Sequence, residues 1–279
     1  MKKHLATAGI ILIFFAGLMV FLYPIVSDYI NSRRQTRVVF TYLEEIEEMD
    51  YTYIAEMLEA AHSYNETLRT RHNRFVFSDE ECVEYRSLLD VAGRGVIGIL
   101  EIDLINVMLP IYHGTDESVL QIGAGHLEGS SLPVGGEGTH AVITGHRGLP
   151  SSTLLTRLDR LAVGDTFSLQ VLNEMLIYQV NQILIVAPYD TSALNIVPGM
   201  DYCTLITCTP YGINSHRMLV RGIRVGSIEE AAYVAILPEA RRISTELSLI
   251  VSYAVALAFI SVVCLLYLIF KFLKKLSKK

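Results

Sequence analysis

The chain contains 279 residues, of which 51% are hydrophobic, with four Cys and no Trp. This apolar content excludes an intrinsically disordered chain, and so few Cys exclude a small protein built on disulfides. The 29 acidic residues outnumber the 23 Lys and Arg, and the net charge of -6 argues against nucleic-acid binding. The mean hydropathy of +0.39 indicates membrane-spanning segments.

Two uncharged apolar runs are long enough to cross a bilayer as helices, residues 5–23 and residues 247–270. Lys2 and Lys3 precede the first run, as in a secretory signal peptide. The run is longer than the apolar region of such a peptide, however, and no small-residue cleavage pattern follows it. We therefore interpret residues 1–26 as an uncleaved signal anchor, with a cleaved signal peptide as the alternative.

The charges beside the second run predict the topology. Five Lys in residues 271–279 outnumber Arg241 and Arg242 on the other flank, which favours a cytoplasmic C-terminus. With two spans, both termini then lie in the cytoplasm and the middle of the chain lies outside the cell. The sequence thus predicts a two-pass protein of the cell membrane.

Residues 27–94 are predicted to form a helical arm. Apolar residues recur at helical spacing over residues 36–68, which indicates one helix or a pair of helices. The acid run Glu44, Glu45, Glu47 and Glu48 is typical of a solvated helix face. A surface loop is expected to follow, leading into a short helix over residues 83–89.

After Gly95 the sequence changes to short apolar runs separated by turn residues, which predicts an antiparallel barrel or sandwich. The predicted strands are residues 96–102, 107–112, 140–144, 166–171, 176–186, 203–208 and 218–225. Residues 152–161 have leucines at helical spacing instead and predict a helix.

Cys208 is the candidate nucleophile, because it ends an apolar strand where a loop begins. Cys203 lies about 16 Å away in an extended strand, too far for a disulfide between the two. A buried Cys is more often a small apolar core residue, so the position of Cys208 alone does not decide between the two readings.

A cysteine nucleophile needs a base and an oxyanion donor. His146 ends an apolar run as Cys208 does, which makes it the candidate base. The other histidines are interpreted as structural or as arm and loop residues: His140 as packed in a strand, His113 and His126 in turns, His62 and His72 in the arm. Arg217, on the strand after Cys208, is the candidate donor. Arg221 lies on the same strand face, so periodicity does not choose between the two arginines.

Residues 204–208 read Thr-Leu-Ile-Thr-Cys, with Arg217 on the next strand. This pattern resembles the active-site signature of sortases, the membrane-bound cysteine transpeptidases of Gram-positive bacteria. Residues 144–150 and 208–217 are similar to the pilus-assembling subgroup, class C. The resemblance covers about residues 95–225 and implies a mainly β fold, a closed antiparallel sortase-type barrel with an N-terminal helical arm and two flanking transmembrane helices.

The resemblance also implies roles. Cys208 would attack the Thr carbonyl of an LPxTG-like sorting signal, His146 would transfer protons, and Arg217 rather than Arg221 would hold the carbonyl oxygen. The acyl group would pass to a lysine of a pilin subunit, without metal or cofactor. The alternatives are a sortase that anchors surface proteins to peptidoglycan and a non-catalytic, membrane-tethered pilin-binding scaffold.

The resulting division of the chain is a signal anchor (1–26), a helical arm with a possible lid region (27–94), a catalytic barrel (95–226), a linker (227–246), a second span (247–270) and a basic tail (271–279). Pilus-assembling sortases usually carry a lid fixed by an Asp-Pro-aromatic motif, and no such motif stands between Tyr64 and Gly95. We therefore assign no residues to a lid.

Overall fold

The computed structural model describes residues 2–71 and 73–226. The predicted linker, second span and basic tail lie outside the described residues, as do His72 and Cys264. Among the described residues, one helix is long and apolar enough to cross a membrane, and it lies near the N-terminus.

The helical part contains α1 (Lys2–Glu47), α2 (Tyr51–Thr70) and α3 (Asp79–Ser87). The predicted arm is thus a pair of helices, and the first of them continues without a break from the apolar run. Asp50 starts α2, because its carboxylate accepts a hydrogen bond from Thr52 N. Ser78 and Glu81 start α3 with a capping box.

Eight strands form a closed barrel in the order β1-β2-β3-β4-β7-β8-β6-β5. The strands are β1 (Val96–Ile102), β2 (Val107–His113), β3 (Ala124–His126), β4 (Thr139–Thr144), β5 (Thr166–Val171), β6 (Glu174–Val186), β7 (Asp201–Thr209) and β8 (His216–Arg224). The predicted barrel is confirmed. Six of its neighbouring pairs are antiparallel, whereas β2–β3 and β4–β7 are parallel.

The predicted helix over residues 152–161 is wrong. This stretch contains turns and a short 3-10 turn, Leu158–Arg160. Leu154 has a positive φ of 37°, and Leu155 N donates to His146 O rather than to a helical partner. The leucines are buried in the barrel core from a loop, so their spacing reflects burial and not helical structure. The fourth helix, the short α4 (Glu117–Leu120), and strand β3 were not predicted.

The arm packs along the barrel through buried polar contacts. The hydroxyl of Tyr42 in α1 donates to Ile97 O and accepts from Leu172 N, at the start of β1 and the end of β5. Asn65 in α2 bonds both backbone groups of Leu132. These contacts fix the arm on the barrel, since a buried polar group left without its partner is costly.

Two buried histidines contribute to the packing. His126 is fully buried in β3, where Nδ1 lies 2.8 Å from the Tyr85 hydroxyl of α3 and Nε2 lies 2.8 Å from Ser131 O. The turn predicted at His126 is therefore wrong. Burial lowers the pKa of His126 to about 4, so its imidazole is neutral near pH 7. His113 ends β2 and is also buried, not exposed in a turn.

Candidate active site

The C-terminal half of β7 alternates between the barrel interior and an outer face. Cys203, Leu205 and Thr207 are fully or almost fully buried, whereas Ile206 and Cys208 are half-buried on the other side. Cys208 is a free thiol, and so are Cys82 and Cys203. The candidate nucleophile therefore lies on the outer face, at the end of a rigid strand.

Arg217 lies directly opposite Cys208 in the antiparallel β7–β8 pair. Residues opposite one another in such a pair present their side chains on the same face, with Cβ atoms about 5 Å apart. The guanidinium group of Arg217 donates through Nη1 to Asn214 O (3.2 Å) and to His216 O (3.1 Å). These contacts hold the guanidinium group against the backbone at the start of β8 and in the loop before it.

Arg221 lies on the same face but opposite Thr204, about 13 Å along the strand from Arg217. Its Nε donates to Asn181 Oδ1 at 3.1 Å, and its guanidinium carbon lies 4.3 Å from the centre of the Tyr202 ring. The register thus separates the two arginines that periodicity left equivalent: Arg217 is next to Cys208, and Arg221 is not.

The parallel β4–β7 pair carries His146 to the edge of the sheet at which Cys208 lies. The pair aligns Thr144 with Ile206, and its hydrogen bonds continue beyond the end of β4. Gly145 N donates to Ile206 O (3.1 Å), and Thr207 Oγ1 donates to Gly145 O (2.9 Å). His146 and Cys208 each lie two residues beyond the aligned pair Thr144–Ile206, so both are carried at the same edge of the sheet.

Close packing fixes the backbone on both sides of His146. A Cβ at Gly145 would come within 2.9 Å of two atoms of the buried Leu155 side chain. Gly148 has a positive φ of 79° and packs against the ring of Tyr211. Arg147 donates to Thr209 Oγ1 at 3.4 Å and forms an ion pair with Asp159. The loop after β4 is therefore anchored to the loop after β7.

One neighbour of His146 is marked by no pattern in the sequence. Glu117, in α4, places its carboxylate oxygens 3.2 and 3.3 Å from Nε2 of His146. A hydrogen bond from Gln121 and the nearby His146 lower the pKa of Glu117. With Nε2 facing this carboxylate, Nδ1 is the nitrogen left for Cys208 and substrate. No local pattern marks Glu117, because it precedes His146 by 29 residues and is brought near by the unpredicted α4.

His140 is buried on the same outer face, as predicted for a packed histidine. Its Nε2 lies 2.7 Å from Thr204 Oγ1, and its Nδ1 lies 2.9 Å from Asn195 O. Burial lowers its pKa to about 4, so we assign Nδ1 as donor and Nε2 as acceptor from Thr204. This imidazole ties β7 to the loop between β6 and β7.

An apolar floor extends along the outer face from Cys208. Val142, Leu194 and Leu219 form its buried centre, and the half-buried residues packed around them are Leu127, Leu184, Val186, Ala193 and Ile206. The outer face therefore offers apolar contacts to an extended peptide next to the thiol. Among residues 2–71 and 73–226, no group of three or more His, Cys, Asp or Glu is arranged to hold a metal ion.

The segment between α2 and α3 reaches this face at Leu194. The guanidinium group of Arg74 is buried and donates to Leu194 O, while its backbone passes close over Gly129. Arg71 donates to Glu81 at 2.8 Å and lies over the ring of Phe77. This segment is thus anchored through arginines.

Comparison with known proteins gives one family and several close structures. Residues 100–225 match the sortase domain family model. Sortase C1 from Streptococcus agalactiae is 46% identical, and the match covers 68% of this chain and 98% of that one with a TM-score of 0.65. Sortase C from Streptococcus pneumoniae is also 46% identical, covering 68% and 97% with a TM-score of 0.62.

Among curated relatives, Sortase D from Bacillus subtilis (strain 168) is 34% identical over 131 residues. The match covers 46% of this chain and 63% of Sortase D. The chain thus spans less than two thirds of that relative, whereas it spans nearly all of the two class C structures.

Proposed function

The chain belongs to the sortase family of cysteine transpeptidases, and from this premise we propose that it is a membrane-anchored pilin polymerase. It cleaves an LPxTG-like sorting signal between Thr and Gly and transfers the acyl group to a lysine of a pilin subunit. The observation that supports the proposal is the strand register, in which Arg217 lies opposite Cys208 and the parallel strand β4 carries His146 to the same edge of the sheet. The class C structures at 46% identity support the pilus-assembling subgroup.

In the first half-reaction, the Cys208 thiolate attacks the carbonyl carbon of the substrate Thr. The oxygen gains negative charge, which the Arg217 guanidinium group stabilises by hydrogen bonds. The Thr–Gly C–N bond then breaks, and protonated His146 gives its proton to the leaving amine. The product is a thioester between Thr and Cys208.

In the second half-reaction, His146 accepts a proton from the incoming lysine amine. The amine nitrogen attacks the thioester carbonyl, Arg217 again stabilises the oxyanion, and the C–S bond breaks to return the Cys208 thiolate. An isopeptide bond forms without ATP, because the thioester conserves the energy of the cleaved peptide bond.

We propose the same division of the chain as the sequence predicts, with a helical arm over residues 27–94 and a catalytic barrel over residues 95–226. The apolar N-terminal half of α1 supports membrane anchoring. A second span, with both termini in the cytoplasm and the barrel outside the cell, completes the proposed topology.

The test is incubation of the full chain in detergent with an LPxTG peptide and a lysine-bearing pilin. We expect mass spectrometry to identify a Cys208 thioester and a Thr–Lys isopeptide product. Cys208→Ala should abolish both, whereas Cys82→Ala, which removes another half-buried free thiol, should retain both. Pilus polymers formed by Cys208→Ala would refute catalysis, and a product bearing a cell-wall amine would refute the pilin acceptor.

A further inference from the structure

The helix that carries the apolar run also contacts the barrel directly. Asp28 of α1 accepts hydrogen bonds from both N and Oγ1 of Thr153. Asn31 donates to Ser151 O, and Gln35 donates to Ile122 O and Ser152 Oγ. Since α1 is continuous from Lys2 to Glu47, the apolar run and this part of the barrel are joined by helix, without a linker.

These contacts identify which end of the barrel lies nearest the apolar run. Residues 151–153 follow the His146 loop, and Ile122 precedes β3, which pairs with the C-terminal end of β4. Tyr42 lies further along α1, and its hydrogen bonds are instead to Ile97 and Leu172 at the opposite end of the barrel. The end that presents His146 and Cys208 is therefore the end closest to the apolar part of α1.

The distance from the apolar run to this end is short. Asp28 is the first charged residue after the apolar run and lies five positions beyond Tyr23 in α1, which corresponds to about 8 Å at 1.5 Å per residue. The headgroup layer on each side of a bilayer is about 5–8 Å thick. The loop containing Ser151 and Thr153 is thus at the height of the lipid headgroups when the apolar run crosses the hydrocarbon core.

The loops at this end carry exposed apolar side chains. Leu104 between β1 and β2 is 58% exposed, and Val163 before β5 is 66% exposed. Tyr211 and Ile213 between β7 and β8 are 61% and 72% exposed. Apolar and amphipathic side chains of this kind are suited to the membrane interface.

We propose that the catalytic end of the barrel rests on the bilayer surface, with the loops around Leu104, Val163 and Ile213 inserted among the lipid headgroups. The proposal depends on the membrane anchoring by α1 proposed above. A lipid surface is favoured over a protein partner because α1 fixes these loops at headgroup height whether or not another protein is present. The thiol then meets its substrates at the membrane surface.

The absence of Trp makes a direct test possible, since one introduced Trp is the only indole in the chain. Val163→Trp and Ile213→Trp place the probe in two different loops of the proposed contact face, before β5 and between β7 and β8. Tyr51→Trp is the matched control, because Tyr51 is 81% exposed and starts α2 at the other end of the barrel. Each full-length variant is reconstituted into phosphatidylcholine vesicles with and without bromine on the acyl chains, which quenches nearby indoles.

We expect the brominated lipid to remove most of the emission of Val163→Trp and Ile213→Trp and to leave that of Tyr51→Trp unchanged. The proposal is overturned if either contact-face probe is unquenched, or if Tyr51→Trp is quenched equally. It is also overturned if Ile213→Trp responds to added pilin but not to brominated lipid, which would assign the surface to a protein.

Peptide transfer by the same variants in detergent separates this proposal from the proposed function. Active variants without quenching refute only the membrane contact. If the variants are quenched but neither they nor the unmodified chain transfer peptide, only the enzymatic function is refuted.

Discussion

Burial lowers the pKa of three histidines, His113, His126 and His140, and lowering the pH is therefore expected to destabilise the folded chain. Burial lowers the pKa of both His126 and His140 from 6.5 to about 4. Between these values the unfolded chain binds protons that the folded chain does not. The free energy of unfolding is thus fully retained above pH 6.5 and falls as the pH decreases towards 4.

The size of the effect follows from the two pKa values of each histidine. At pH 5 an unfolded histidine is almost fully protonated and the buried one is about one-tenth protonated, so each contributes a slope of about 1.2 kcal/mol per pH unit. Integrated from neutral pH to pH 5, each histidine removes about 2 kcal/mol. The two together remove about 4 kcal/mol, a large part of the stability of an ordinary domain.

Variants isolate this contribution from the other titrating groups. Burial raises the pKa of Asp201, which opposes the histidine effect at low pH, so the comparison is best made between pH 5 and 6.5. His140→Gln keeps one donor and one acceptor but does not titrate. We expect it to reduce the pH slope by about 1.2 kcal/mol per unit, and the double variant with His126→Gln to reduce it by about twice as much.

The measurement is urea unfolding of the full chain in detergent at a series of pH values, followed by circular dichroism. A slope that is the same in the unmodified chain and in both variants would refute the argument, because the two imidazoles would then titrate alike in the folded and unfolded states.

Three further substitutions test the site itself. Arg217→Ala is expected to lower kcat for peptide transfer about 10²–10³-fold, as loss of an oxyanion donor does, while Arg221→Ala should retain most of it; equal losses would contradict the register argument. Thr207→Val leaves the buried Gly145 carbonyl unpaired and should destabilise the fold by about 1–3 kcal/mol in urea unfolding, an effect that Thr207→Ser should largely avoid. Glu117→Gln is expected to lower kcat/KM about two- to fivefold near neutral pH, with less effect at high salt, since the contact is exposed; an unchanged pH profile would exclude a role for its charge.

The strands were largely predictable because their signals are local. Short apolar runs bounded by turn residues delimit β1 and β5 at the predicted residues, and the other predicted strands differ from the observed ones by one or two residues at one or both ends. The alternation of side chains along a strand predicts that Arg217 and Arg221 share a face. It does not choose between them, because the choice depends on the register with β7, which joins residues distant in the sequence.

The failures have the same origin. The leucines of residues 152–161 have helical spacing, yet they pack into the core from a loop. Hydrogen bonds to α1 and to the His146 backbone hold this loop in place. β3 is three residues long and contains Gly125, so it has no strand pattern of its own. Glu117 was missed for the same reason: the fold, and not a motif, brings it to His146.

The parallel β4–β7 pair explains the spacing of the Thr-Leu-Ile-Thr-Cys motif. Two parallel strands end at the same edge of a sheet, so a thiol near the end of β7 and an imidazole just beyond the end of β4 are carried to the same edge by rigid elements. Thr207 points inward and binds Gly145 O, which sets the position of His146. Thr204 points outward and its hydroxyl bonds His140, which holds this imidazole against the outer face of β7. Thr204 thus bonds a residue within β4, and Thr207 bonds the residue just after β4, directly before the candidate base His146. Cys208 follows Thr207 and faces the outer side of the sheet.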